Sequence, residues 1–545
     1  MSPTDWRFWS VLFAAMTFVS YSAAADCDNP QDPAAAIIDC TRSINSGKWK
    51  ARYLAAYYSN RAAAYHAQGD NDRAIADLNE AIRLDPKLAM AFNNRGAAYN
   101  EQGDNDRAIA DYNEAIRLDP GLAMAFNNRG NAYSDKGDND RAIADFNAAI
   151  RLDPKFATAL QNRGSAYHAK GDNDRAIADY NEAIGLDPEH AKAFLGRGIA
   201  FSDKGDNDRA IADYNEAIRL DPERPRAFRH RAYAYRAKGD NDRAIADFDE
   251  AIRLDPEDAN VFKSRGLAYR AKGELDSAIA DYSEAIRLDP KDAMAFNIRG
   301  LAYLKKGELD RAIADDSEAI RIDPEDADAF NSRGVAYRAK GDLDRAIADY
   351  DAAIRLDPTD ATALVGRADV FSDKGDFERA IADYNEAIRL DPKSSLAYFA
   401  RGRSYLFAGS VKTALADFDR ASAQEPENAY LALWVDIVGR RNNRPSRLAQ
   451  SSSRIDMTVW PAPVIRLFMD QTTPAAVLAA ADDPDATRKK GQVCEAIFYS
   501  GELSLTKGLK DEATRLFRLA AGDCPHSFNE WDAAKAELKA LGVVP

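Results

Sequence analysis

Two columns of opposite charge run through the chain at a fixed interval. Arginine stands at Arg61 and then every 34 residues to Arg401, eleven times, and aspartate does the same from Asp77 to Asp417. An arginine column can grip phosphate or carboxylate groups as a track. Matched one for one with aspartates, it can instead form an internal ladder of ion pairs. The ladder is the favoured expectation, because an unpartnered buried charge is costly and the columns match in every copy. A second polar set belongs to the early copies: Asn60, Asn94, Asn128 and Asn162 share one column, Asn93, Asn127 and Gln161 its neighbour, and Asn131 lies a turn further. Carboxamides both donate and accept, so such a row can hold an extended peptide backbone with little sequence preference. The plainer alternative is solvated asparagine multiplied by duplication. A third set is basic: Arg226, Arg229, Arg236, Lys263, Arg270 and Arg338 are expected at or beside a binding groove, where they would attract a carboxylate or an acidic segment.

The same inventory offers little for catalysis. The five histidines, His66, His168, His190, His230 and His526, are scattered and form no zinc-protease pair. No phosphate-binding glycine loop and no nucleophile elbow occurs in the sequence. The recurrent Gly-Asp-Asn-Asp lacks the later oxygen ligands and terminal glutamate of a calcium loop. The chain is therefore expected to be no enzyme and to hold no metal or cofactor. Its net charge of −15, with no run of lysine and arginine, argues against nucleic acid or an anionic membrane as main partner.

The element that must position these columns is a repeat. Asp-Pro recurs at Pro86, Pro120, Pro154 and onward to Pro392 at the same 34-residue interval, and Glu425-Pro426 keeps the frame. In the unit running from Ala89 to Leu122, Phe92, Gly96 and Tyr99 share one face of a first helix. Gly103 ends that helix and Asp104 can cap the next. Ala108, Tyr112, Ala115 and Leu118 line a second helix, which Pro120 stops. Small residues at Gly96 and Ala108 allow close approach while the aromatics fill the grooves. One such unit cannot bury its apolar face alone, so neighbours must stack.

These small, aromatic, glycine, alanine and proline columns resemble the tetratricopeptide repeat. Eleven units are in frame over residues 55–428. The resemblance implies an all-α, right-handed superhelical solenoid whose first helices line a concave groove for peptides or protein segments. The arginine column departs from the family, which usually places an aliphatic residue there. Asparagine follows the interhelix acid in units one to six (Asn71 to Asn241). Units seven to eleven carry Leu275, Leu309, Leu343, Phe377 and Val411 there, so the first six are expected to open more readily.

The ends differ in kind. Residues 1–25 combine Arg7, an apolar stretch from Phe8 to Val19 and a small-residue exit, which reads as a signal peptide cut after Ala25. Asp26 before Cys27 argues against a lipid anchor, and no stable membrane insertion is expected after cleavage. Residues 26–54 form an N-terminal cap. The four cysteines lie outside the array, and two disulfides, Cys27–Cys40 and Cys494–Cys524, are expected in an exported chain, periplasmic or secreted. Residues 429–493 read as an irregular helical segment. Within it, 429–441 is helical, 442–455 is a mobile loop, and short helices cover 463–469 and 474–481. Residues 494–545 read as a divergent repeat and a capping helix over 527–541 built on Phe528, Trp531, Leu538 and Leu541.

The order WPAPVIRLF, a divergent repeat and a closing helix resembles the C-terminal part of NlpI-type periplasmic adaptors. That resemblance implies a bacterial scaffold docking envelope proteases, cell-wall hydrolases or related enzymes. Together these readings give an exported scaffold that binds peptide or protein segments in its groove. The alternative is a self-assembling structural solenoid without a specific ligand.

Overall fold

The computed structural model describes Cys27, residues 32–524 and residues 529–543, and the proposed signal peptide lies outside the described residues. Every element among them is a helix. The chain forms two compact bodies, one reaching Lys272 and one starting at Gly273.

The first body opens with a helix Pro33–Asn45, whose N-terminus is capped by Asp32, and continues with antiparallel helix pairs. The pair Ala89–Glu101 and Asn105–Leu118 shows how the sequence dictates the unit. Gly103 takes the left-handed conformation (φ +79°) that closes the first helix at no steric cost. Asp104 Oδ1 then accepts from the Arg107 amide at 3.0 Å, which starts the second helix. The Arg107 guanidinium lies over the Tyr99 ring, 4.4 Å from its centre. The recurrent Gly-Asp-Asn-Asp-Arg string is thus a capping device. Where the helices cross, a Cβ on Gly96 would stand 2.7 Å from Tyr112, so only glycine lets that fully buried ring sit against the backbone.

The arginine and aspartate columns form the ladder. Arg61, Arg95, Arg129, Arg163, Arg197 and Arg231 each grip the aspartate 16 residues on through Nε and Nη2, at 2.6–2.8 Å. Arg299, Arg333, Arg367 and Arg401 do the same in the second body, over the same range. The remaining nitrogen, Nη1, reaches back to the second helix of the preceding unit: Arg95 to Asn79 at 2.7 Å, Arg129 to Asn113 at 2.6 Å, Arg333 to Ser317 at 3.0 Å. Arg61 finds Thr41 of the opening helix instead, at 3.0 Å. One planar guanidinium therefore joins three helices, a task its fork of donors suits and a lysine could not perform.

The second body continues the same pairing to Val411–Gln424, and the helix Ala429–Arg441 follows in frame. The partner helix it would need is replaced by short pieces, Leu448–Ser451, Ala462–Phe468 and Pro474–Ala480. The stretch expected as a mobile loop holds the first of these, and its Leu448 and Ile455 are buried in the C-terminal core. The next two helices carry proline in their first turns, where a missing N–H costs nothing. A long helix Ala486–Thr506 pairs with Lys510–Asp523, and Asn529–Ala540 closes the end. Cys494 sits inside that long helix rather than at its start, because Asp485 caps it nine residues earlier. Phe528 lies outside the described residues. Trp434 stacks on Phe418 (5.7 Å) and leans on Phe498 (6.1 Å), so aromatic contact carries the core past the last regular repeat.

Candidate interaction surfaces

The asparagine row lies inside the first body. Asn60, Asn94, Asn128 and Asn162 are at most 4% exposed, and Asn93 and Asn127 are equally buried. Their amides bond to one another: Asn162 Nδ2 donates to Asn127 (2.9 Å), Asn127 to Asn128 (3.3 Å), Asn128 to Asn93 (3.1 Å) and Asn93 to Asn94 (3.2 Å). The expectation of a row open to a peptide is corrected in its placement. The first helix of an inner unit is flanked by its own partner and by both neighbours, so little of its circumference faces solvent. Asn131, one turn on, is half-buried. The ladder satisfies groups that would otherwise be costly to bury.

The basic residues of the first body are half-buried rather than fully exposed. Arg229 is paired with Asp258 at 2.6 Å. Arg226 donates to His230 Nε2 at 3.3 Å, and burial together with Arg226 and Arg229 holds the His230 pKa well below its usual value, so the ring is neutral. Arg236 lies over Tyr233 at 5.9 Å. Lys263 and Arg270 are half-buried on the next first helix, Ala259–Lys272. In the second body Arg338 is held by Asp369 and Asp373, at 2.6 and 2.7 Å. Internal carboxylates therefore meet part of the charge that the sequence offers to a ligand.

The cysteines fall into two close pairs. The Cα atoms of Cys27 and Cys40 are 5.1 Å apart and those of Cys494 and Cys524 are 5.2 Å apart, with each sulfur pair at bonding distance.

A set of residues that sequence reasoning passed over gathers near the end of the second body. Glu495 and Glu530 are each 8% exposed beside Phe399, Tyr430, Trp434 and Tyr499. Glu495 Oε2 accepts from the Tyr430 hydroxyl (2.9 Å) and the Trp460 indole (2.7 Å). Burial and then the neighbouring Glu530 push the Glu495 carboxyl up to about 7. The available signal was a glutamate one helical turn before Tyr499 in an otherwise apolar stripe. A second carboxyl, Asp316, occupies the buried position that is Tyr282 and Tyr350 in the adjacent units; burial first and Asp315 next push it up to about 8.

Protein-family models described as "TPR repeat" match residues 62–103, 96–137, 266–307 and 300–339. Models described as "Tetratricopeptide repeat" match 127–191, 195–259 and 331–395, and together the matches span more than half of the chain. Among solved structures, a tetratricopeptide repeat protein from Parabacteroides merdae is 23% identical over 46% of this chain and 98% of its own, with a TM-score of 0.37. Yeast Tom70 is 19% identical over 74% of this chain and 99% of its own (TM-score 0.38). Pseudomonas aeruginosa pilF is 18% identical over 40% and 96% (TM-score 0.36). All the family matches fall within 62–395, so the C-terminal resemblance rests on its sequence motifs alone.

Proposed function

Because the chain belongs to the tetratricopeptide-repeat family, whose members typically bind protein partners and are generally non-enzymatic, we propose that it is an exported scaffold for peptide or protein segments. The observation that carries this reading is the run of stacked helix pairs within each body, a form that presents extended surface. Export is supported by the leader-like residues 1–25 and by cysteines placed in pairs at the two ends. The C-terminal motifs support envelope proteases or cell-wall enzymes as the partners docked, in a periplasmic or secreted location.

Affinity capture from an envelope extract tests the binding. The chain without residues 1–25 should retain protein partners, and Arg236→Glu with Lys263→Glu and Arg270→Glu should lose those held by the basic surface. Capture identical to that of an unrelated helical protein of similar charge would sink the scaffold reading. Export is tested by sequencing the N-terminus of the chain expressed with its leader, which should begin at Asp26. Mass mapping without reductant should then find both cysteine pairs linked.

A further inference from the structure

The C-terminal end of the second body contains a cavity of about 460 Å³ between the helices Ser395–Phe407, Ala429–Arg441, Ala486–Thr506 and Asn529–Ala540. Its walls are aromatic: Phe399, Tyr430, Trp434 and Tyr499. Its polar lining includes two buried carboxyls, Glu495 and Glu530, together with Ser395, Glu425 and Asn428. The donors that Glu495 engages, the Tyr430 hydroxyl and the Trp460 indole, are neutral and converge on one oxygen, Oε2. Glu530 accepts from the Tyr499 hydroxyl at 3.3 Å, with the Arg403 guanidinium as a nearby opposite charge. Arg403 itself lies over Phe399 and Phe407, 5.9 Å from each ring.

Aromatic faces and buried carboxyls select for the same thing, a desolvated organic cation. The ring quadrupoles attract positive charge and the carboxylates supply charge-assisted hydrogen bonds. A hard divalent ion would need more oxygen ligands than this site offers. Among the described residues no group of three or more histidine, cysteine or acidic side chains is placed to hold a metal. At the rim Leu396 is 63% exposed, an apolar contact for whatever flanks the charge.

We propose that this cavity receives the cationic side chain, lysine or arginine, of a bound polypeptide, with Glu495 and Glu530 as counter-charges and the surrounding rings as walls. The proposal rests on the scaffold reading for its choice of a polypeptide, and it adds a chemical preference at one defined place. It also predicts a pH dependence. The groups facing Glu495 are Glu530 on the closing helix, Tyr499 on its own helix and Tyr430 on the helix Ala429–Arg441, while Arg403 on Ser395–Phe407 acts on Glu530 and Glu425 stands at the rim. With Glu495 titrating near 7, its carboxylate gains population as pH rises from 6 to 8. Lysine and arginine stay charged throughout, so binding should tighten over that interval.

Calorimetric titration of the full chain with N-acetyl-lysine methylamide and N-acetyl-arginine methylamide tests the cavity directly, with N-acetyl-norleucine methylamide as the uncharged control. Saturable binding of the two cations, at least tenfold weaker for norleucine and severalfold tighter at pH 8 than at pH 6, is the expected result. Glu495→Gln and Glu530→Gln keep an acceptor for their hydrogen bonds and should each weaken the cations at least tenfold while leaving the thermal unfolding midpoint in place. The pH series on the unaltered chain supports or refutes the same point should either variant misfold. Equal binding of norleucine, no binding of any probe at millimolar concentration, or Ca²⁺ excluding the lysine probe would overturn the proposal. A chain that captures protein partners but ignores the probes refutes the cavity alone; one that binds the probes but captures nothing refutes the scaffold reading instead.

Discussion

Up to Lys272 the repeats place asparagine after the interhelix acid; from Gly273 onward they place leucine, phenylalanine or valine, and the helices pair alike in both bodies. In the first body that position is polar: Asn105 accepts from Asn100 at 2.7 Å, whereas Asn173 Oδ1 accepts no hydrogen bond from the described residues. In the second body Leu343 packs against the cluster of Tyr337 and Tyr350, Phe377 faces Phe407 at 6.2 Å, and Val411 joins the C-terminal core. The first body adds a buried amide ladder, and the second a closing core of stacked aromatics. The difference teaches that the glycine, alanine, arginine and aspartate columns set the geometry, and that other positions adjust how firmly each unit is held.

The largest test of that division lies at the C-terminal end. Arg441 bonds Glu537 at 2.8 Å and also Glu502, both nearly inaccessible, joining three helices. Arg441→Met strands two buried carboxyls and should cost about 3–5 kcal/mol. Urea unfolding followed by the fluorescence of Trp434, Trp460 and Trp531 should shift accordingly, while amide exchange in the first body stays unchanged. Equal loosening of both bodies would break the comparison.

Asp316 is the exception in the aromatic column of the second body, so Asp316→Tyr should restore that column and stabilise by about 2 kcal/mol. Gly300 already supplies the clearance that Gly96 gives Tyr112. The charged neighbours of Asp316 are Asp315, Asp349 and Arg333, with Asn297 donating at 3.3 Å. Its folded pKa of about 8 lies above the ordinary 3.8, so the folded state binds a proton that the unfolded state releases. Stability from this site is therefore greatest below the unfolded value and falls as pH climbs from 4 through 8. Asp316→Asn should flatten that slope, as thermal melts at several pH values would reveal.

A smaller effect is expected in the first body. Amide exchange should be faster there than in the second body. Asn173→Leu should slow exchange in its own unit about fivefold, worth about 1 kcal/mol, by replacing an unsatisfied amide with buried apolar surface. The smallest concerns the exposed struts between adjacent loops, such as Lys136 with Asp106 in the first body and Lys340 with Asp310 in the second. Lys136→Ala and Lys340→Ala should each change stability by less than about 0.5 kcal/mol, equally in both bodies.

The period, the small residue (glycine or alanine) at each crossing and the one-for-one match of Arg95 with Asp111 made the helix pairing and the ion ladder legible before any coordinates. The inward turn of Asn93 and Asn94 was not legible. They are consecutive residues on one helix, and both become buried only because neighbouring units cover separate arcs of it. Glu495 and Glu530 were missed for a different reason. They lie beyond the regular frame, and the cavity exists only after four helices from distant parts of the sequence converge. In that final unit the arginine and aspartate columns become Ser500 and Leu516, so the pattern that guides the reading elsewhere falls silent there.

The three-way grip of each arginine bears on how such a chain can change its length. Every unit brings an arginine for the joint behind it and an oxygen for the joint ahead, Asn79 for Arg95 and Asn113 for Arg129. Excising or copying one 34-residue period inside the run therefore leaves no guanidinium without its oxygen partners and no such oxygen without its guanidinium. Slippage between near-identical copies would yield a shorter or longer array whose every junction is already complete, so copy number can drift while the local design stays fixed.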